Sequence, residues 1–147
     1  MPVIVIGGDT TTGRAILEEM AGPSREVRAF VSRASLGAEL REMGIKVAVG
    51  DVSDDSHIEA ASMNCFTAIM ISEAAHDDRE RSFARSESNV LQGWASAVSA
   101  SGVSRVIWVQ RGTPPDAQVR ETAAVDPGDP DVVQKVIDLD EAQVIRS

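Results

Sequence analysis

The sequence predicts an α/β fold built on a doubly wound parallel sheet, and three observations support it. The chain opens on four consecutive β-branched residues, 3–6, with no polar alternation, which is typical of a strand buried on both faces. A glycine turn and a helical pattern follow directly. Strand-like and helical runs then alternate across short connections, as in sheets with right-handed crossovers. The predicted Rossmann-like strand order is 3-2-1-4-5, with a sixth strand at the edge.

The first strand leads into the turn GGDTTTG, residues 7–13, and then into a helix. Ile16, Leu17 and Met20 recur at helical spacing, and Gly22 marks the end of that helix. Backbone N–H groups at a helix start, together with the positive end of the helix dipole, attract phosphate where glycine lets the backbone approach. The turn is therefore a candidate phosphate-binding corner.

The middle of the chain continues the alternation of strands and helices. The predicted elements are strand 26–31, helix 36–43, strand 46–49, helix 54–62, strand 67–71, helix 89–101 and strand 105–109. Ser53 is the predicted N-cap of the helix over 54–62. In the helix over 89–101, Leu91, Trp94 and Val98 share one stripe, which indicates core packing rather than a ligand site.

The composition changes after residue 109. Residues 110–131 contain Pro114, Pro115, Pro127 and Pro130 and no sustained apolar period, which predicts a loop or a partly mobile segment. A short helix over 131–139 and a final strand over 142–146 then complete the edge of the sheet. The length of 147 residues predicts one domain over 1–147.

Composition also argues against several classes of partner. The formal net charge of −9 disfavours a nucleic-acid backbone or an anionic membrane as the main partner. No stretch approaches the roughly 20 apolar residues that span a bilayer, and the first residues lack the basic segment of a signal peptide, so we expect a cytoplasmic location. The single cysteine, Cys65, predicts core packing. His57 and His76 have no other metal-ligating residues at ligand spacing around them, so we predict no metal site.

Several motifs in succession carry a family resemblance. Residues 30–33 are FVSR, residues 49–54 are VGDVSD and residues 102–109 are GVSRVIWV. In this order, after the glycine turn, they resemble the second strand, the "GDxxD" turn and the fifth strand of the atypical short-chain dehydrogenase/reductases. The likeness is greatest to the NmrA-like branch of nicotinamide-nucleotide-binding Rossmann proteins. Residues 142–146, AQVIR, are similar to its sixth strand.

The resemblance implies how a nucleotide would be held. Gly7 and Gly13 match the first and last glycines of the family's GxxGxxG turn. Arg33 occupies the place where a basic residue meets the ribose 2′-phosphate of NADP, a contact that suits a guanidinium. The other implied contacts are Asp51 and Val52 at the adenine and Ser72 near the nicotinamide half. The implied cofactor is NADP(H), with NAD(H) as the alternative.

The turn also departs from the family pattern. Thr10 stands at the middle glycine, so a Cβ and a hydroxyl intrude where the backbone would approach pyrophosphate. Asp9 adds a negative charge beside the expected phosphates. The hydroxyls of Thr10, Thr11 and Thr12 either donate to phosphate or cap the helix, and the sequence leaves both alternatives open.

The sequence assigns no catalytic residue. Classical relatives use a tyrosine as general acid, a lysine four residues later and a serine after the fifth strand, but this chain contains no tyrosine. Gln110 stands at the serine's place, and the nearest match to the tyrosine–lysine spacing is Asp131 with Lys135. An aspartate is normally ionised at neutral pH and has no proton to give. Some atypical members of the family transfer hydride without the triad, so activity stays open.

Three hypotheses follow. The leading one is a non-catalytic NADP(H)-binding protein that acts as a nucleotide sensor or regulatory partner of another protein. The second is an NADPH-dependent oxidoreductase whose site is completed by a second copy of the chain, since the resemblance implies a homodimer through residues 79–101; the alternative there is a solvent-facing helix. The third is an interaction module that has lost nucleotide binding. Fold analogy alone does not choose among them.

Overall fold

A parallel six-stranded sheet organises the part of the chain that the computed structural model describes, residues 2–76 and 86–145. Its strands are β1 (Val3–Ile6), β2 (Val27–Val31), β3 (Lys46–Val49), β4 (Thr67–Ile71), β5 (Arg105–Val109) and β6 (Glu121–Val125). They lie in the order β3-β2-β1-β4-β5-β6, and every neighbouring pair is parallel. The predicted fold class and strand order, including a sixth strand at the edge, are confirmed.

Helices cover both faces of this sheet. They are α1 (Thr11–Met20), α2 (Ala34–Glu42), α3 (Asp55–Ser62), α4 (Glu73–His76), α5 (Glu87–Ser101) and α6 (Val132–Glu141). Apolar side chains of α1, α2 and α6 pack on one face, and those of α3, α4 and α5 pack on the other. The side chains of β1 alternate between these two cores and are all fully buried, because the strand lies in the middle of a sheet covered on both faces.

The edge strand β6 corrects two sequence predictions. It lies at Glu121–Val125, inside the segment 110–131 that was predicted to be a loop, and pairs in register with β5. Its sequence, ETAAV, combines polar and small residues, and most of the strand is only half-buried, so it lacks the apolar pattern that identifies a strand. The predicted strand over 142–146 is wrong for residues 142–145, which are not in a strand, and residue 146 lies outside the described residues.

The start of α3 differs from the prediction by one residue. Asp54 is the N-cap, and its carboxylate accepts hydrogen bonds from the backbone N–H groups of Ser56 and His57. Ser53 was the predicted cap, but its N–H and hydroxyl both donate to the Asp51 carboxylate, at 2.8 and 2.6 Å. The Asp54 carboxylate, which accepts from two N–H groups of the first turn, therefore takes the capping position.

Two sequence predictions concern dimerisation and membrane insertion. Of the predicted dimer segment, residues 79–85 lie outside the described residues, and α5 packs one side against α3. None of the helices in the described ranges is long and apolar enough to cross a membrane.

The C-terminal segment is fixed by a buried ion pair at the amino-terminal end of β5. Arg105 is almost completely buried, and its guanidinium donates to the Glu121 carboxylate at 2.9 Å. The same carboxylate oxygen accepts from the Ile145 N–H at 2.6 Å. Residues that resemble a strand in sequence are therefore held as an irregular tail by side-chain hydrogen bonds.

Glu121→Gln is expected to reduce the loss of stability in acid. The hydrogen bond from Ile145, and then the bond and charge of Arg105, lower the pKa of the Glu121 carboxyl from its ordinary 4.5. The stability it contributes is complete above the unfolded pKa and is lost as pH falls through the lowered folded pKa. Urea unfolding from about pH 5 to about pH 3 should show a smaller decrease in free energy of unfolding for the variant than for the wild type. An equal decrease in the two proteins would contradict this role, and Glu19→Gln is the surface control.

Candidate functional site

The strand order reverses between β1 and β4, and a cleft opens at this reversal. Open α/β sheets bind ligands outside the carboxyl ends of their strands at such a point. The cleft has a volume of about 420 Å³ and lies between the start of α1 and the ends of β4 and β5. Its polar lining residues are Thr12, Ser72, Glu73, Glu87, Gln110 and Arg111. Two of the predicted site residues, Thr12 and Ser72, thus line one cleft at the position where this class of sheet binds ligands.

The glycines of the turn are required by its geometry. Gly7 has a φ of +94°, and its N–H donates to the Phe30 carbonyl at the end of β2. Gly13 allows α1 to pack directly on the turn, because a Cβ added to Gly13 would lie 2.1 Å from the Gly7 carbonyl oxygen. The two glycines that match the family motif therefore set the close approach of helix and strand.

Thr10 caps α1. Its hydroxyl donates to the Gly7 carbonyl at 2.7 Å and accepts from the Gly13 N–H at 3.0 Å. The residue is only 4% exposed. The single hydroxyl proton of Thr10 is donated within the turn. Of the two predicted roles, phosphate donor and helix cap, the structure therefore shows the cap.

Thr11 and Thr12 are the first two residues of α1. Thr11 is exposed, and Thr12 is half-buried and lines the cleft. Within residues 2–76 and 86–145, the backbone N–H groups of these two threonines donate to no acceptor. Unpaired N–H groups and the positive end of the helix dipole are the features that attract an anion to a helix start.

The end of β2 is connected to the turn through Asp9. The Asp9 carboxylate accepts a hydrogen bond from the Ser32 backbone N–H at 2.9 Å and is 9% exposed. The next residue, Arg33, is exposed and is the N-cap residue of α2, with no side-chain cap. Its guanidinium has no hydrogen-bond or ion-pair partner among the residues that the structure describes. Arg33 therefore supplies a cation directly after the strand whose end is bonded to the turn.

The turn after β3 is held by bonds of its own. The Asp51 carboxylate is engaged by Ser53, as described above. Val52 is fully buried, and its carbonyl accepts from the Trp94 indole N–H at 2.7 Å. The Val52 side chain therefore belongs to the core, whereas Asp51 is half-buried at the carboxyl edge of the sheet.

Ser72 and Gln110 shape the far side of the cleft. The Ser72 hydroxyl donates to the Val109 carbonyl at 2.9 Å, which ties the end of β4 to the end of β5. The Gln110 N–H donates to the Val125 carbonyl, and its side-chain oxygen is shielded from solvent without a partner in the described parts of the chain. Sequence reasoning missed Glu87 and Arg111. Arg111 could have been found because it follows a predicted strand, but nothing local marks Glu87.

Comparison with known proteins identifies the family to which this geometry belongs. A family model described as NAD(P)H-binding matches residues 7–140. The chain belongs to this NAD(P)H-binding family. The predicted resemblance to the NmrA-like, atypical short-chain dehydrogenase/reductases is thereby confirmed. No curated protein sequence matches the chain at a significant level.

Solved structures share the fold of this NAD(P)H-binding chain. Triphenylmethane reductase from Citrobacter sp. matches with a TM-score of 0.62 and 15% identity over 74% of this chain and 37% of its own. The anaerobilin reductase ChuY from Escherichia coli O157:H7 gives 0.57 and 22% over 75% and 50%. The quinone oxidoreductase QOR2 from Escherichia coli, complexed with NADPH, gives 0.57 and 17% over 72% and 35%. The chain thus spans between about a third and half of the length of these structures.

The residues at this edge of the sheet fit a nicotinamide nucleotide in three respects. The turn has glycine where a Cβ would collide. Among the residues that the structure describes, the first two N–H groups of α1 donate to no acceptor and the Arg33 guanidinium has no partner. Two residues depart from the NAD(P)H-binding pattern. The carboxylate of Asp9 adds a negative charge, and Thr10 fills the place of the middle glycine.

Proposed function

We propose that this domain binds NADP(H) and acts as a nucleotide sensor or regulatory partner rather than as a catalyst. The observation that carries the proposal is the corner at the carboxyl end of β1, where the N–H groups of Thr11 and Thr12, at the start of a helix, donate to no acceptor in the described part of the chain. Such a corner takes up the negative charge of a phosphate with backbone groups alone. It lies at the reversal of strand order, where nucleotides bind in this class of sheet.

Each part of the dinucleotide has a candidate contact. The N–H groups of Thr11 and Thr12 would hold the pyrophosphate, and the guanidinium of Arg33 would hold the 2′-phosphate in a charge-assisted pair. The adenine would lie beside Asp51, in the turn after β3. The nicotinamide half would enter the cleft beside Ser72. When bound in its reduced form, the nucleotide supplies a hydride.

The composition of the cleft supports a non-catalytic role. The chain has no tyrosine, and the residue that follows β5 is Gln110, whose amide is no general acid. Lys135 lies on α6 and forms an ion pair with Asp129, and the hydrogen bond that its amine donates to that carboxylate raises the pKa of Lys135. It lies on a different groove from the cleft. No described residue combines the position and the chemistry of the classical acid.

The cleft itself favours a second candidate, an NADPH-dependent oxidoreductase. A volume of about 420 Å³ beside Ser72 leaves room for an acceptor next to the nicotinamide, and the names of the similar structures include a dye reductase and a quinone oxidoreductase. Hydride transfer is chemistry of the cofactor and requires mainly that the protein orient the two reactants. NADPH oxidation with quinones and triphenylmethane dyes would distinguish the candidates, because only the second predicts turnover.

Arg33→Ala is expected to weaken NADPH binding selectively. Loss of a hydrogen-bonded charge pair corresponds to about a tenfold decrease in affinity or more, whereas NADH, which has no 2′-phosphate, should bind the variant as it binds the wild type. Calorimetric titration with both nucleotides measures the two affinities.

The matched control for this titration is Arg41→Ala, which removes an exposed arginine from the last turn of the same helix, α2. It should leave both affinities unchanged. If the wild-type protein bound neither nucleotide, both enzyme and sensor would be excluded, and the interaction module would remain. Equal weakening of NADPH and NADH by Arg33→Ala would contradict the 2′-phosphate contact.

A homodimer through residues 79–101 and a cytoplasmic location complete the proposal. The first depends on the resemblance to the family, and the second on the composition of the sequence. Sedimentation of the purified protein with and without NADPH tests the dimer, and a nucleotide-dependent change in association would be the response expected of a sensor.

A further inference from the structure

We infer that the outer edge of β6 pairs with β6 of a second copy of this chain, in antiparallel register, so that the two sheets join into one. This surface is separate from the nucleotide site and differs from the predicted dimer segment 79–101. Among the described residues, β6 is the last strand of the sheet and pairs with β5 alone. An edge strand offers its unpaired N–H and C=O groups to another strand.

The groups that β6 leaves unpaired follow from its pairing with β5. The Glu121 N–H donates to the Ser104 carbonyl, on the β5 side. Successive residues of a strand direct their N–H and C=O groups to opposite sides, so those of Thr122 and Ala124 point away from β5. These outward groups form no hydrogen bond in the described parts of the chain. Thr122 is half-buried and Ala124 is exposed, so the edge has main-chain donors and acceptors to offer.

The opposite edge of the sheet, at β3, is protected. The Arg41 side chain, from the last turn of α2, donates to the Val47 carbonyl at 3.3 Å, and the strand begins with the exposed Lys46. Charged side chains on an edge strand hinder its pairing with other chains. In β6, the residues whose main chain points outward are Thr122 and Ala124, which are small and uncharged. Of the two edges, β6 is therefore the one suited to pairing.

A second copy of β6 completes the hydrogen-bond pattern. In an antiparallel register centred on Ala123, Thr122 of each copy lies opposite Ala124 of the other, and the two residues exchange both of their hydrogen bonds. Every outward group of both strands then has a partner. A shift of one residue would set outward groups opposite inward ones. Centring the pair on Thr122 or Ala124 would leave the other residue opposite a position outside the strand.

The charges that flank β6 favour a second copy over an unrelated strand. The same register sets Arg120 of each copy opposite Asp126 of the other, and both residues are exposed. Arg120 forms no ion pair among the residues that the structure describes. Opposite charges directly across an antiparallel pair stabilise it and like charges destabilise it, whereas a parallel pairing in register would set Arg120 against Arg120. Because a two-fold interface uses one patch twice, β6 and its flanks are complementary to themselves.

The centre of the pair provides a direct test. Ala123 would face its own counterpart in a non-hydrogen-bonded pair, with the Cα atoms about 4.5 Å apart, a separation that a disulfide spans. Ala123→Cys should therefore form a disulfide-linked dimer in a glutathione redox buffer, visible on a non-reducing gel. Ala124→Cys is the matched control, because the exposed residue Ala124 would lie on the diagonal from its counterpart, about 7–8 Å away. The native Cys65 is buried and is present in both variants.

The ends of the strand provide a second test, because charge reversal there can be undone by mixing. The pairing is short, below the roughly 1,200 Å² of a standard interface, so we expect dimers in sedimentation runs between about 10 µM and about 1 mM. Arg120→Asp and Asp126→Arg each set like charges against each other and should weaken self-association about tenfold. An equimolar mixture restores an opposite pair at both ends, so association should return. Thermal unfolding shows that each variant is folded.

The two tests decide whether β6 pairs with itself. More cross-linking of Ala123→Cys than of Ala124→Cys, together with association that returns on mixing the charge variants, supports the pairing. Equal cross-linking of the two cysteine variants would overturn it. If self-association were unaffected by both charge variants, the contact would lie elsewhere, as at residues 79–101, and pairing through β6 would be wrong. A wild-type chain that stayed monomeric at about 1 mM would leave the edge to a strand of another protein and would likewise overturn the inference.

Discussion

Gly13→Ala is expected to lower the free energy of unfolding by about 3 kcal/mol, at the upper end of the range for overpacking. The added Cβ would lie 2.1 Å from the Gly7 carbonyl oxygen and 2.8 Å from the Thr10 hydroxyl oxygen. The closer of these atoms belongs to the backbone, so no rotation of a side chain relieves the collision, and α1 must move away from the turn. Nucleotide binding should be lost as well, because the N–H groups of Thr11 and Thr12 would move with the helix. Urea unfolding and NADPH titration measure the two effects.

Gly93→Ala is the matched control for this substitution. Its added Cβ would also lie 2.1 Å from an oxygen, but that atom is the end of the exposed Asp55 side chain, which can rotate away. Alanine is favoured over glycine in a helix interior by about 1 kcal/mol, so this variant should keep its stability or gain some. If the two alanine variants were equally stable, the close packing of α1 on the turn would not be a requirement of the fold.

The fold was predictable where burial leaves a pattern in the sequence. The first strand is apolar at every position because both of its faces are covered, and that pattern is unambiguous. The edge strand β6 carries Thr122, Ala123 and Ala124 instead, and the pairing that defines it comes from register with β5. Residues 142–145 show the reverse case. Their sequence predicts a strand, but hydrogen bonds from the Arg105 side chain and to the Glu121 side chain hold them in an irregular conformation. Local sequence does not contain either of these tertiary contacts.

The same division applies to the candidate site. The glycine turn, Arg33 and Asp51 could be located because each follows a predicted strand, and the carboxyl ends of parallel strands share one edge of the sheet. The bond from Ser32 to Asp9 joins residues 23 positions apart, and the capping role of Thr10 is one of two roles that its residue type allows. Orientation of a short polar side chain depends on neighbours in space. Sequence therefore predicts where the candidate site lies, and the structure shows how the side chains of Asp9 and Thr10 are oriented there.

Arg105→Met is expected to destabilise the protein by about 3–5 kcal/mol, the range for removing one partner of a buried ion pair. The guanidinium donates to Glu121 and to four main-chain carbonyls near the end of α6, those of Leu139, Asp140, Ala142 and Gln143. It also lies over the ring of Phe66, with 5.2 Å to the centroid. Methionine keeps much of the side-chain stem but no donor, so a carboxylate and several carbonyls would lose their partner together. The expected consequence is release of residues 142–145, measurable as faster amide exchange at Ile145.

Arg111→Met provides the comparison that isolates burial. Arg111 follows the carboxyl end of β5, whereas Arg105 lies at its amino-terminal end. The Arg111 side chain is 78% exposed, and its Nε lies 3.8 Å from Asp126 Oδ1. Exposed pairs contribute about 0–1 kcal/mol, so this variant should unfold at nearly the wild-type urea concentration. If Arg105→Met also lost less than about 1 kcal/mol, hydrophobic packing of α6 would hold the C-terminal segment without the arginine. The larger loss is expected for Arg105→Met because the carbonyls at the end of a helix have no partner within the helix. The buried Arg105 side chain donates to those carbonyls, to carbonyls of residues 142–143 and to Glu121, the first residue of the edge strand.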